Sequence, residues 1–167
     1  MGELERIVTV AEIMRPQAPV VSPSDSIATV ARVLADHGIP GVPVVEAGKI
    51  VGIITEGDLV AREAAVNIPA IVPFLDAILI GDAGRSFGEE MRRVLALSAR
   101  ELMSSPVYSI KATASLSQLA TLMMERRVNP VPVVSDAHEL VGLVSRADLV
   151  RVVARLESAE SSLPEPA

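Results

Sequence analysis

The chain repeats itself. Met14 and Met103 stand 89 residues apart, and the same offset superimposes Glu12 on Glu101, Ala31 on Ala120, and Val42-Pro43-Val44-Val45 on Val131-Pro132-Val133-Val134. One residue then enters the second copy. At an offset of 90, Val51-Gly52 matches Val141-Gly142 and Asp58-Leu59-Val60 matches Asp148-Leu149-Val150. Register kept over that distance marks an internal duplication, and whatever one copy folds into, the other is expected to fold into as well.

Hydrophobic spacing assigns the elements of each copy. Ile27, Val30, Ala31 and Leu34 fall at i, i+3, i+4 and i+7, the stripe of an amphipathic helix, and Leu116, Leu119, Ala120 and Met123 repeat it. Ser24-Asp25-Ser26 offers capping oxygens at the first helix's start and Gly38 a left-handed stop at its end; the second copy has Arg127 in the glycine's place. Short β-branched runs at 42–45 and 50–54, around Glu46-Ala47-Gly48-Lys49, predict a hairpin, as do 131–134 and 140–144. A last helix opens at Thr55 or Ser145. Each copy reads strand, helix, strand, strand, helix. The expected fold class is therefore α+β, with two pseudo-symmetric βαββα repeats, 9–62 and 98–154, packed as one module because a single small sheet leaves an apolar face uncovered.

Residues 63–97 match neither copy. Ile68-Pro69-Ala70-Ile71-Val72-Pro73-Phe74-Leu75 is apolar, 81–88 is loop-like and 89–97 has a helical pattern. Exposed, such an insertion would be a sticky patch, so it is expected to form an oligomer contact. The tail, 155–167, carries Pro164 and Pro166 among small and acidic residues and is expected to be disordered.

Composition removes several function classes. With no Cys among 167 residues, thiol catalysis, disulfides and thiolate metal centres are excluded, and with only His37 and His138 no histidine-rich metal centre is expected. Both histidines read as structural, His37 at a helix end and His138 in a turn. Fifteen basic residues against 21 acidic ones give a net charge of −6, which opposes binding to nucleic acid. The stretch 68–80, broken by Pro69, Pro73 and Asp76, falls short of the ~20 residues a membrane span needs. The charged start Met1-Gly2-Glu3-Leu4-Glu5-Arg6 lacks a signal peptide's apolar run, and a cytoplasmic protein is expected.

The segments with most chemistry are Gly52-Ile53-Ile54-Thr55-Glu56-Gly57-Asp58 and Gly142-Leu143-Val144-Ser145-Arg146-Ala147-Asp148. A hydroxyl with an acid three residues on is a capping box, in which Thr55 or Ser145 caps the helix and the carboxylate reaches back to a free N–H. The same geometry can bind a ligand, since a helix N-terminus accepts an anion and a carboxylate can accept hydrogen bonds from both vicinal hydroxyls of a ribose. The two roles can coexist. No nucleophile, base and orienting residue form a recognisable set, and no phosphate-loop motif stands in the right context, so no enzyme is expected.

The whole duplicated pattern resembles a tandem pair of cystathionine β-synthase (CBS) domains, a Bateman module. It is carried by Glu12-Ile13-Met14 and Glu101-Leu102-Met103, by the hydrophobic-Pro-Val-Val strands, and by Val-Gly-hydrophobic-hydrophobic-[Ser/Thr]-x-x-Asp. The resemblance implies a regulatory module that binds adenosine-containing ligands, such as AMP, ADP, ATP or S-adenosylmethionine, in clefts between the repeats. Asp58 and Asp148 would hold ribose hydroxyls, with Thr55 and Ser145 assisting. Val20-Val21, Val42-Pro43, Ser109-Ile110 and Val131-Pro132 would sandwich adenine, and Asp58 would work with Ser109 and Asp148 with Val20.

The chain departs from that pattern in two places. Val20 has no hydroxyl where Ser109 has one, which favours the Asp58 cleft. Gly41 and Pro130 stand where nucleotide-sensing members often place a basic residue, leaving Arg146, His37, Arg126 and Arg127 as substitutes, with Arg146 the preferred phosphate contact. With no effector domain on either side, the chain reads as a free-standing sensor that forms a homodimer and signals to an effector protein. No cofactor beyond the adenosine ligand is expected. The alternative is a ligand-free homo-oligomeric scaffold with vestigial clefts; a nucleotide-converting enzyme comes third.

Overall fold

A computed structural model of the chain describes residues 8–66 and 98–160. Most of the insertion, from 67 to 97, and the tail beyond 160 lie outside the described residues, and with them the expected oligomer contact and the helix at 89–97. The described elements, in order, are α1 (Val10–Ile13), β1 (Arg15–Pro16), α2 (Ile27–His37), β2 (Gly41–Glu46), β3 (Lys49–Thr55), α3 (Glu56–Val66), α4 (Ala99–Leu102), β4 (Ile110–Lys111), α5 (Leu116–Arg126), β5 (Val131–Val134), β6 (Leu140–Val144) and α6 (Arg146–Glu160). They make up the expected α+β fold. In the first copy, however, the opening strand shrinks to a single parallel bridge, Val21 to Val44. Helix α6 runs through Glu160, so the segment expected to be disordered from 155 is helical over its first part.

The elements fall into two compact units, residues 19–107 and residues 1–18 with 108–167. In the first unit the Ser26 hydroxyl caps α2 by accepting the Thr29 N–H at 3.2 Å, and Gly38, at φ 57°, ends it in the left-handed conformation. The buried face of α2 carries Val30 and Leu34. Strands β2 and β3 form an antiparallel hairpin in which Val42 faces Ile54 and Val44 faces Gly52. Ala47 and Gly48, both at positive φ (49° and 76°), make the two-residue turn whose twist suits a hairpin. The single-turn helix α4 docks here. Its capping box joins the Ser98 N–H to Glu101 Oε2 at 3.0 Å, the Ala99 N–H reaches the Asp25 carbonyl at 2.8 Å, and Ser104 exchanges two backbone bonds with Ile53.

The second unit has a four-stranded sheet in the order β1-β6-β5-β4, with β4 parallel to β5 and the other pairs antiparallel. Helix α5 is capped by Ser115, whose N–H donates to Gln118 Oε1 at 2.9 Å, and it ends at Arg127 in the left-handed conformation, φ 54°, that Gly38 takes in the other copy. Its core joins Val10, Ile110, Leu119, Met123, Val131, Val133 and Val144. Here α1 plays the part of α4, with the Val10 and Ala11 N–H groups donating to the Ala114 and Ala112 carbonyls at 2.9 Å.

The compact units are thus not the sequence repeats. The lead-in of the second repeat, 98–107, packs on the hairpin of the first, and the lead-in of the first packs on the hairpin of the second. The methionine and the glycine of the repeated motif are the two halves of this exchange. A Cβ built on Gly52 would lie 2.7 Å from Cγ and 2.8 Å from Cβ of Met103; one on Gly142 would lie 2.6 Å from Sδ of Met14 and 2.9 Å from the Arg15 carbonyl oxygen. Only a residue without a side chain lets the methionine lie on the strand.

Candidate functional site

Each motif places its aspartate at the third position of a helix that opens directly from the second strand of a hairpin. The Thr55 N–H and Oγ1–H both donate to Asp58 Oδ2 at 2.8 Å, and the Asp58 N–H returns a bond to Thr55 Oγ1 at 3.3 Å. In the second copy the Ser145 N–H and Oγ–H donate to Asp148 Oδ2 at 2.8 and 2.7 Å, and the Asp148 N–H returns one at 3.4 Å. The capping box read from sequence is complete in both copies, and a cap of this kind contributes about 1 kcal/mol. It fixes each carboxylate by one oxygen and leaves the other aimed elsewhere.

That second oxygen distinguishes the copies. Asp148 Oδ1 accepts Arg151 Nη1 at 2.7 Å, whereas Oδ1 of Asp58 has no protein partner among the described residues, because Ala61 occupies the position of Arg151. A free, half-buried carboxylate oxygen can accept a hydroxyl hydrogen. The helix N-termini are narrower as anion sites than the sequence implies. The Glu56 N–H donates to the Pro40 carbonyl and the Arg146 N–H to Asn129 Oδ1, both at 2.9 Å. With the aspartate N–H also taken, Gly57 and Ala147 keep the open donors of that first turn.

The residues expected to sandwich adenine divide between core and surface. Val42, Pro43 and Val131 are fully buried and Pro132 is buried; Val21 and Ile110 also point inward. Their neighbours Val20, at 46 % exposure, and Ser109 point outward. Arg146 is exposed, with no side-chain partner among the described residues. Arg126 instead lies over the Tyr108 ring, 5.0 Å from its centroid. His37 Nδ1 sits 3.0 Å from the Val33 carbonyl and His138 takes the left-handed turn position, φ 61°. Arg151 and Asn129 carry no motif signal; Arg151 is set apart only by its i, i+3 spacing from Asp148 and by Ala61 standing in its place in the other copy. No helix among the described residues is long and apolar enough to cross a membrane.

Comparison with known proteins agrees with this fold. The CBS domain family model matches residues 10–64 and 99–155. An uncharacterised protein of Methanocaldococcus jannaschii, MJ1426, is 29% identical over 159 residues, covering 88% of this chain and 92% of its own. Among solved structures, CBSX2 in complex with AMP is similar with a TM-score of 0.73 at 21% identity, over 89% of this chain and 98% of its own. The CBS domain pair of MJ0100, in complex with 5′-methylthioadenosine and S-adenosyl-L-methionine, is similar with a TM-score of 0.63 at 24% identity, over 90% of this chain and 98% of its own.

Proposed function

The chain belongs to the CBS domain family, carrying the domain twice, and from that premise we propose that it is a regulatory module that senses an adenosine-containing ligand. The observation that carries this reading is the Asp58 carboxylate. One oxygen is locked by Thr55 while the other has no protein partner among the described residues. A sugar diol supplies the two donors such an acceptor lacks, and fixing the carboxylate beforehand lowers the ordering cost of binding. Ligands of this class are bound by the CBS pairs it resembles, AMP in CBSX2 and S-adenosyl-L-methionine and methylthioadenosine in MJ0100.

In this reading Asp58 and Asp148 receive ribose hydroxyls, with Thr55 and Ser145 behind them. Val20-Val21, Val42-Pro43, Ser109-Ile110 and Val131-Pro132 line the adenine, and Arg146 assists at phosphate. The Asp58 copy is the stronger, since its second carboxylate oxygen has no partner among the described residues, whereas that of Asp148 is held by Arg151. A ligand that favours one conformer shifts the population by its differential affinity and so reports its presence to an effector protein, the chain acting as a homodimer in the cytoplasm without catalysis.

Calorimetry with AMP and with 2′,3′-dideoxy-AMP, on wild type and Asp58→Asn, tests this reading. Asparagine keeps an oxygen for the cap but loses the charge that a diol prefers. AMP should bind wild type at least tenfold tighter than the dideoxy compound, and Asp58→Asn should erase the difference. If wild type binds the two compounds equally, Asp58 does not hold the diol; if it binds neither, the clefts are vestigial and the chain is a scaffold.

A further inference from the structure

Among the described residues one buried side-chain nitrogen or oxygen lacks a hydrogen-bond partner, and it is Nε of Arg62. Buried donors are almost always paired, and a guanidinium held from water with a donor unmet is costly, so an orphan of this kind calls for an explanation. Arg62 lies on α3 four residues beyond Asp58, on the same helix face. Its side chain is 20 % exposed, and at offset 90 it stands where the second copy has Val152, a core residue at 6 % exposure. The arginine therefore occupies an inward-facing position that the fold itself fills with an aliphatic side chain.

The donors of Arg62 are divided. Nη1 donates to Glu63 Oε1 at 2.8 Å, while the edge formed by Nε and Nη2 takes no acceptor among the described residues. That edge presents two parallel N–H groups, the fork that binds phosphate in bidentate fashion. Helical side chains lean toward the N-terminus, so Arg62 leans back over the turn that holds Asp58. One turn of helix, about 5.4 Å, separates the two residues along the axis. A nucleotide presents a diol and a phosphate on opposite sides of one sugar ring.

We propose that Arg62 is the phosphate-binding residue of the Asp58 site, which makes the ligand a phosphorylated adenosine and not the free nucleoside or a cationic sulfonium. This rests on the diol reading of Asp58 given above. It also supplies the basic group missing at Gly41, from a position that the family motif does not mark.

The test compares adenosine with AMP by calorimetry at fixed ionic strength, on wild type, Arg62→Met and Arg62→Lys, with thermal unfolding of each unliganded protein. Charge-assisted bonds to phosphate should give wild type at least a tenfold preference for AMP. Arg62→Met should bring the ratio near one, and Arg62→Lys, which keeps the charge without the fork, should fall between. Unliganded Arg62→Met should melt no lower than wild type, since it relieves a buried unpaired donor. An unchanged AMP-to-adenosine ratio in Arg62→Met, or a lowered melting temperature, overturns the proposal. Wild type that binds both equally removes Arg62 and leaves the diol reading standing; wild type that binds neither removes both.

Discussion

Gly52→Ala places a methyl group where Met103 already lies, 2.7 Å from its Cγ and 2.8 Å from its Cβ. The methionine cannot simply swing aside. Its backbone is held by the Met103 N–H to Ala99 carbonyl bond at 2.9 Å and by the Ser104–Ile53 pair at 2.9 and 3.1 Å, so its Cβ moves only if α4 moves with it. Overpacking of this kind costs about 1–3 kcal/mol. Met103→Ala alone removes packing from the strand, about 2 kcal/mol for a partly buried methionine, at the low end of the range for core truncations. In the double variant the alanine at 52 grows into space the methionine has vacated, so the two losses should fall short of their sum by about 1 kcal/mol. With no Trp and a single Tyr, far-UV circular dichroism in a urea titration is the appropriate probe. Gly52→Ala that unfolds like wild type, or two substitutions that simply add, would show that the glycine is not there for the methionine.

Two further outcomes follow from local geometry. Arg127 adopts φ 54°, ψ 39°, nearly the φ 57°, ψ 44° of Gly38, and a side chain in that region costs about 1 kcal/mol or more. Arg127→Gly should therefore stabilise by about 1 kcal/mol and Gly38→Arg destabilise similarly, each a shift of a few degrees in calorimetric melting temperature. The Lys111 ammonium, 2.9 Å from Asp136 Oδ1, lowers that carboxyl from its ordinary value of 3.8 through a hydrogen bond and its charge. A lowered acid stabilises the fold above its ordinary value and loses that contribution as pH falls through the lowered one. The pair is exposed, so the melting difference between wild type and Asp136→Asn should be small at neutral pH, shrink with salt, and vanish in strong acid.

Most of each copy is legible because its signals are local. The i, i+3, i+4, i+7 stripes place α2 and α5, the capping residues place their starts, and the predicted runs at 131–134 and 140–144 coincide with β5 and β6. The capping boxes at Thr55 and Ser145 are legible for the same reason, since every partner lies within three residues. What escapes is non-local. The two lead-ins share the same short pattern, Glu12-Ile13-Met14 and Glu101-Leu102-Met103, so nothing local in Met14 or Met103 says which glycine it will cover. Arg127 escapes because the turn after α5 imposes a conformation its own propensity resists. The difference between the aspartates is visible only as Arg151 against Ala61, which gains meaning once a 2.7 Å bond is seen. Nothing in the sequence sets Arg62 apart until its orphaned nitrogen is seen.

The exchanged lead-ins also set an order of assembly. Residues 19–107 form an uninterrupted run that can be completed while the ribosome is still making the rest, whereas the other unit needs both chain ends and cannot close until β6 has emerged. For that interval Met14 has no glycine to cover. Cutting the gene between the repeats would strand each clasp on the wrong fragment, and two such fragments mixed together would have to trade their ends before either could be whole.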